Sequence, residues 1–124
     1  LALLGPEGLR RVAVSCHTQT RILVTALCEL PGVTPLFNRP FFHECALSLP
    51  IPAAAALRLL AAHRILGGIP LAGDFPELAG GDQLILTCAT ELRSDEDIGQ
   101  YQAHLARAIA AQTQPPCALR PKIN

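Results

Sequence analysis

A stripe of apolar and small side chains near the start of the chain constrains the fold more than any other feature. Its members recur at spacings of three and four residues, which places them on one face of a long amphipathic α-helix: Leu9, Val12, Cys16, Thr20, Leu23, Leu27 and Leu30. Pro6 and Glu7 are typical of a first helical turn, and Pro31-Gly32 ends the helix. Such a helix needs a second layer against its apolar face.

Short segments after this helix predict that second layer. Val33 to Phe37 and Phe41 to Leu49 flank the turn-forming cluster Asn38 to Pro40, which predicts an antiparallel pair of strands. In the second of these strands we expect the odd-numbered residues to be buried. The continuous apolar run from Leu84 to Thr90 predicts a third, fully buried strand.

Two further helices are predicted on either side of the third strand. Ala53 to Arg64 is rich in alanine and leucine and has the strongest helix-forming composition in the chain. Ser94, with Asp97 three residues later, is an N-cap signature that opens the last helix. Between these helices we expect Gly67-Gly68 to end the first one and a proline-held connector to follow.

The order of these elements predicts an α+β fold, a two-layer α/β arrangement. Helices cover a small antiparallel or mixed sheet of about three strands. Residues 1–113 are expected to form this domain, and residues 114–124, with three prolines, a loose tail. The chain has no methionine, so we expect a piece of a longer polypeptide that exposes an apolar patch, at the strand of Cys45 or along Ile85 to Ala89.

Composition excludes several classes of function. Ten basic residues balance ten acidic ones, and the net charge of +0 gives no field that attracts nucleic acid or a membrane surface. The five cysteines are odd in number, widely spaced and without a CxxC pair, which favours reduced thiols in a cytoplasmic protein. The four histidines fall on four different predicted elements, so we expect no metal site.

The connector RILGGIPLAGDFPEL, residues 64–78, has the glycine spacing of a phosphate-binding loop between Gly68 and Gly73. A P-loop requires a lysine and a hydroxyl after the second glycine, whereas this chain has Asp74 and Phe75 there. The sequence therefore predicts a connector and no phosphate site. Ser15, Cys16 and His17 are consecutive helical residues that point in different directions, so no catalytic residue is assigned.

The end of the third strand carries the strongest candidates for a ligand site. Glu91 and Arg93 share a face if the strand extends through residue 93, and an arginine fork suits a carboxylate ligand. The alternative is a mutual surface salt bridge between them. Lys122, the only lysine, lies in the predicted tail, so the core of the chain offers no Schiff-base lysine for a cofactor such as pyridoxal phosphate.

Six segments in order resemble the C-terminal domain of glycine dehydrogenase (decarboxylating) subunit 1, the P-protein of the glycine cleavage system. The resemblance covers nearly the whole chain up to the tail. It rests on LLGPEGLRRVA at Leu3 to Ala13, PGV at Pro31 to Val33, PFFHE at Pro40 to Glu44, ILGGIPL at Ile65 to Leu71, FPEL at Phe75 to Leu78 and TELRSDEDI at Thr90 to Ile98.

The resemblance implies the small C-terminal domain of a fold type I pyridoxal-phosphate enzyme, an oxidoreductase. In that family the cofactor is held by a lysine of subunit 2, or of the other half of the chain where the two subunits are fused. Glycine is decarboxylated, and the aminomethyl group passes to the lipoyl arm of the H-protein. Its implied partners are therefore subunit 2, the lipoylated H-protein and the large domain of its own subunit. The fragment alone is expected to be inactive, to support subunit assembly and active-site closure, and to hold no cofactor.

The chain departs from the family pattern in the connector. Family members usually show a basic residue and aromatics where this chain has Gly73-Asp74-Phe75, and Gly80 to Gln83 lengthens the following turn. Asp74 is nonetheless a third candidate, beside Glu91 and Arg93, for a substrate cleft. A free-standing amino-acid-sensing or dimerisation module is the alternative interpretation of the whole chain.

Overall fold

The computed structural model describes residues 2–113. Its helices are α1 (Gly5–Cys28), α2 (Ala53–Ala62) and α3 (Asp95–Thr113), and its strands are β1 (Thr34–Pro35), β2 (Cys45–Ser48), β3 (Ile69–Pro70) and β4 (Leu84–Thr87). A short 3-10 helix, Gly81–Gln83, precedes β4. The predicted tail lies outside the described residues, so its looseness stays a prediction.

The strands form one antiparallel sheet in the order β1-β2-β4-β3. The predicted antiparallel pair of strands is confirmed as β1 and β2, which are shorter than predicted, and Thr34 lies opposite Ser48. The fourth strand, β3, in which Ile69 lies opposite Leu86, was not predicted. It consists of two residues, and Pro70 is tolerated there because β3 is an edge strand that needs no further backbone donor. The predicted α+β class is confirmed, with one additional strand.

The core lies between the three helices and one face of the sheet. Leu27, Leu47 and Ile85 are fully buried there, with Leu60 from α2 and Leu105 from α3. The odd-numbered residues of β2 are buried, as predicted, whereas the even-numbered residues are half-buried. The expectation of an exposed apolar patch at Cys45 or along Ile85 to Ala89 is wrong, because Cys45, Ile85 and Ala89 are buried in the core that the helices cover, and Leu86 is half-buried.

The C-terminus of α2 is formed by Arg64 and not by the predicted glycines. His63 is the C-cap, and Arg64 adopts the left-handed conformation with φ 63°. The Arg64 N–H donates to Ala61 O at 2.9 Å and the Ile65 N–H donates to Leu60 O at 3.0 Å, which together make a Schellman motif. An arginine at this position carries strain that a glycine avoids.

The two glycines of the connector serve close packing. A side chain at Gly67 would lie 2.6 Å from Leu60 Cδ1 and 2.9 Å from the Tyr101 hydroxyl. Gly68 has φ 138°, and a side chain there would overlap the carbonyl oxygen of Leu86. Glycine at both positions therefore lets the connector approach α2, α3 and β4 closely enough for β3 to pair.

Candidate functional site

A cleft of about 710 Å³ opens between the end of α2, the β4–α3 connection and the first turns of α3. Leu23, Ala89 and Tyr101 are buried and lie at its base, while Arg64 and Arg93 are exposed on its rim. Its wall includes the N-terminus of α3. Ser94 caps this helix: the Ser94 N–H donates to Asp97 Oδ2 at 2.9 Å and the Asp97 N–H donates to Ser94 Oγ at 3.2 Å.

The base of the cleft is fixed by hydrogen bonds to the carbonyl oxygen of Gly67. The Tyr101 hydroxyl donates to it at 2.6 Å and the Thr87 hydroxyl donates to it at 2.9 Å. Burial raises the pKa of Tyr101 to about 12, so the phenol remains a neutral donor at physiological pH. Tyr101 therefore holds the connector in place and is unsuited to proton transfer.

Arg93 lines the cleft, but it does not share a strand face with Glu91. The condition for a shared face, a strand that extends through residue 93, is not met, since β4 ends at Thr87 and residues 91 and 92 form a turn. The alternative salt bridge to Glu91 is also not formed. The Arg93 guanidinium instead lies 3.9 Å from the Asp97 carboxylate, and both side chains are about half exposed, so this ion pair is weak.

Glu91 lies outside the cleft lining and contacts α1 instead. The Cys16 thiol donates to Glu91 Oε2 at 3.3 Å. Desolvation and the hydrogen bond to this carboxylate raise the pKa of the Cys16 thiol, which keeps it protonated and a poor nucleophile. The neighbouring His17 is engaged elsewhere, with Nδ1 2.6 Å from Phe42 O and its ring stacked on Phe42.

Asp74, the third candidate, is exposed in a turn of the connector and does not line the cleft. The three candidate residues are thus not brought together, and Arg93 is the one that lies at a cavity. Arg64 stands on the same rim, which sequence reasoning missed because nothing in the local pattern shows that the end of α2 faces the start of α3.

The structure also brings together two histidines that the sequence places on separate elements. The rings of His63 and His104 stack with their centroids 3.9 Å apart. Burial, followed by the nearby His63 and Arg107, lowers the pKa of His104. Residues 2–113 contain no group of three or more histidine, cysteine or acidic side chains arranged to hold a metal ion. Among the same residues, every helix is too short or too polar to cross a membrane.

The comparison with family models found no match. Curated relatives do match, and they are named probable glycine dehydrogenase (decarboxylating) subunit 1. The protein from Methylococcus capsulatus is 48% identical over 109 residues, which is 88% of this chain and 23% of the relative. The protein from Thiobacillus denitrificans is 40% identical over an alignment 127 positions long, gaps included, that covers 97% of this chain and 27% of the relative. The chain spans about a quarter of the length of these relatives.

Solved structures support the same assignment. Glycine decarboxylase (P-protein) of the glycine cleavage system, in an inhibitor-bound form, superposes with a TM-score of 0.78 and 39% identity over 87% of this chain and 24% of that one. A NifS-like protein, at a TM-score of 0.69 and 15% identity over 85% of this chain and 30% of that one, shares the fold alone. This chain is therefore homologous to one segment of glycine dehydrogenase (decarboxylating) subunit 1, the family that its sequence resembles.

Proposed function

We propose that this chain works as part of the P-protein of the glycine cleavage system, the oxidoreductase that decarboxylates glycine and transfers the aminomethyl group to the lipoyl arm of the H-protein. The 48% identity over 109 residues to a glycine dehydrogenase subunit 1 carries the proposal. The comparisons do not favour the alternative of a free-standing sensing module. Subunit 2, the H-protein and the large domain of its own subunit are the proposed partners, and the cytoplasm is the proposed location.

The described residues can be compared with what the proposed cofactor, pyridoxal phosphate, requires for covalent attachment. The only lysine of the sequence is Lys122, so residues 2–113 cannot form a Schiff base with it. We propose, as the family resemblance implies, that a lysine of the partner subunit holds the cofactor covalently. When bound in the assembled enzyme, the cofactor supplies the electron sink for decarboxylation. We infer that residues 1–113, as the small domain, contribute assembly and closure, and that the isolated chain is inactive.

Arg93 is the candidate residue best placed to contact a ligand. Its guanidinium lies at the cleft, and its 3.9 Å separation from Asp97 leaves most of its donors available for a carboxylate. In the assembled enzyme, Arg93→Gln is expected to raise the KM for glycine about tenfold, the loss of about 1.4 kcal/mol of binding. Arg58→Gln, an exposed arginine of α2 away from the cleft, is the matched control.

Substitutions also test whether Asp74 and Glu91 contribute to the active site. If the connector reaches the active site of the assembled complex, Asp74→Ala lowers glycine turnover, and unchanged turnover excludes that role. Glu91→Gln keeps the hydrogen-bond acceptor for the Cys16 thiol and removes the charge. A ligand role for Glu91 predicts a rise in KM from this change, whereas the structural contact with Cys16 alone predicts none.

A chimera tests the proposal as a whole. Residues 2–113 of this chain replace the aligned segment of the Methylococcus capsulatus subunit 1, and the chimera is combined with its subunit 2 and lipoylated H-protein. The proposed function predicts release of carbon dioxide from glycine by the reconstituted system and none by the isolated chain. A folded, assembled chimera without activity would refute the proposed function, as would glycine decarboxylation by the isolated chain.

A further inference from the structure

The apolar stripe of α1 extends toward the N-terminus past the residues that pack in the core. Thr20, Leu23 and Leu27 are buried, as expected for the covered part of the stripe. Leu9 lies on the same face of the helix but is 40% exposed, and Val12 between them is only half-buried. The helical face that forms the core thus continues, in register, into a segment where the described chain covers it only in part.

This segment, residues 5–15, is here named the arm. Within it only Gly8 is buried, and the side chain that covers Gly8 is Leu4, from the turn just before the helix. The described side-chain hydrogen bonds from α1 to other elements begin with Cys16 and His17, after the arm ends. At 1.5 Å per residue, the arm projects about 16 Å beyond the sheet-bound half of α1.

We propose that the Leu9 and Val12 face of the arm packs against the part of the parent subunit that lies outside the segment aligned with this chain. This inference rests on the proposed function. The proposed interface uses one face of α1: its C-terminal part packs in the core of this chain, and its N-terminal part contacts the rest of the subunit. Because an isolated apolar stripe gains nothing by facing water, a covering partner stabilises it.

Two observations favour the parent subunit over a second copy of this chain. Relatives carry about three quarters of their sequence outside the aligned segment, since that segment is 23% to 27% of their length. The alignment with the Thiobacillus denitrificans protein takes in 97% of this chain and therefore includes nearly all of the arm. In addition, the exposed face continues the face that this chain's own core covers, so a body of the same subunit that lies beside this core covers the exposed part as well.

The arm supplies its own matched control. The double variant Leu9→Glu with Val12→Glu places charges on the stripe, while Val14→Glu places one on the opposite face, where Val14 is 56% exposed. Glutamate is a good helix former, so both variants keep α1 intact. In the isolated chain Val14→Glu should unfold within about 2 °C of the wild type. The double variant should unfold no more than about 5 °C below it, because Leu9 is 40% exposed and Val12 is half-buried, so only part of their burial is lost.

In the Methylococcus capsulatus chimera the same variants are expected to diverge. The wild-type and Val14→Glu chimeras should unfold in one calorimetric transition, because the graft and the body of the subunit are coupled. The Leu9→Glu, Val12→Glu chimera should show two transitions, with the graft unfolding about 5 °C or more below the body. A double variant that unfolds as one unit, like the wild type, would overturn the proposed interface.

A second outcome would also overturn it: dimerisation of the isolated wild-type chain at micromolar concentration, abolished by the double variant alone, would assign the face to a second copy. Failure of the proposed function is distinguished by activity. An inactive wild-type chimera that unfolds in one transition, uncoupled by the double variant, contradicts the function and keeps the interface. An active chimera that the double variant leaves coupled contradicts the interface and keeps the function.

Discussion

Thr20 offers the sharpest test of how the cleft is held in place. Its side chain is fully buried. Its hydroxyl oxygen accepts the Ala89 N–H at 3.0 Å, and its proton is donated to Ala89 O at 3.0 Å or His43 O at 3.2 Å. Ala89 is itself buried and lies at the base of the cleft. One hydroxyl of α1 therefore satisfies the backbone where the chain leaves β4.

Thr20→Val keeps the shape of the side chain and removes this hydroxyl. Two hydrogen bonds are lost and a buried N–H is left without a partner, which together should lower the free energy of unfolding by about 2–4 kcal/mol. Thr20→Ser keeps the hydroxyl and removes one methyl group, at a cost of about 1 kcal/mol. Valine should therefore be the more damaging substitution, although it is the more apolar one.

Urea denaturation followed by far-ultraviolet circular dichroism measures both variants. At the m-values usual for small domains, Thr20→Val should lower the midpoint by about 1–2 M, and Thr20→Ser by roughly half of that or less. Equal m-values would show that the variants expose the same surface area on unfolding, so that the midpoints report stability alone. If Thr20→Val proved as stable as Thr20→Ser, the hydroxyl would contribute no more than the one methyl group, about 1 kcal/mol, and the assigned role of Thr20 would be refuted.

Three other predictions concern the connector and the histidine pair. Gly68→Ala should lower the free energy of unfolding by about 2 kcal/mol or more, because φ is positive at this position and the added methyl group would overlap Leu86 O. Gly73 has open space around it, so Gly73→Ala should change the free energy of unfolding by no more than about 0.5 kcal/mol in the same urea titration. Arg64→Gly should raise the midpoint of thermal unfolding, because glycine relieves about 1 kcal/mol of left-handed strain, and Arg64→Asn should do so by less. The fold lowers the pKa of His104, so the unfolded state binds the proton more readily than the folded state does. The free energy of unfolding should therefore fall as the pH drops below about 6.5, the pKa of His104 in the unfolded chain, toward its pKa in the fold. His104→Gln should reduce this pH dependence in unfolding measured between about pH 7 and 5.

Local patterns predicted the elements that depend on local chemistry. The spacing of the α1 stripe, the alanine-rich composition of α2 and the capping pair Ser94 and Asp97 each specify a helix through interactions within a few residues. The apolar run that becomes β4 was found for the same reason, and so was the antiparallel pair that becomes β1 and β2. The resemblance to glycine dehydrogenase subunit 1 was also readable from the sequence, because its motifs are contiguous.

The site was predicted far less well, since its geometry depends on contacts between distant residues. A shared face for Glu91 and Arg93 required the strand to extend through residue 93, whereas the chain turns after β4. Glu91 therefore contacts Cys16, and Arg93 lies near Asp97. The stacking of His63 on His104 joins residues 41 positions apart, and no local pattern signals it.

The sequence by itself thus determined the helices, the central strands and the family, because periodicity, capping and contiguous motifs act over short separations. Only the tertiary structure decided that Arg64 ends α2, that Gly67 and Gly68 admit a fourth strand, and that a cleft forms above Tyr101. Those features follow from how closely packed elements approach one another. The arm of α1 shows the difference most clearly: the sequence predicts its apolar face, and the structure shows where that face ceases to be covered.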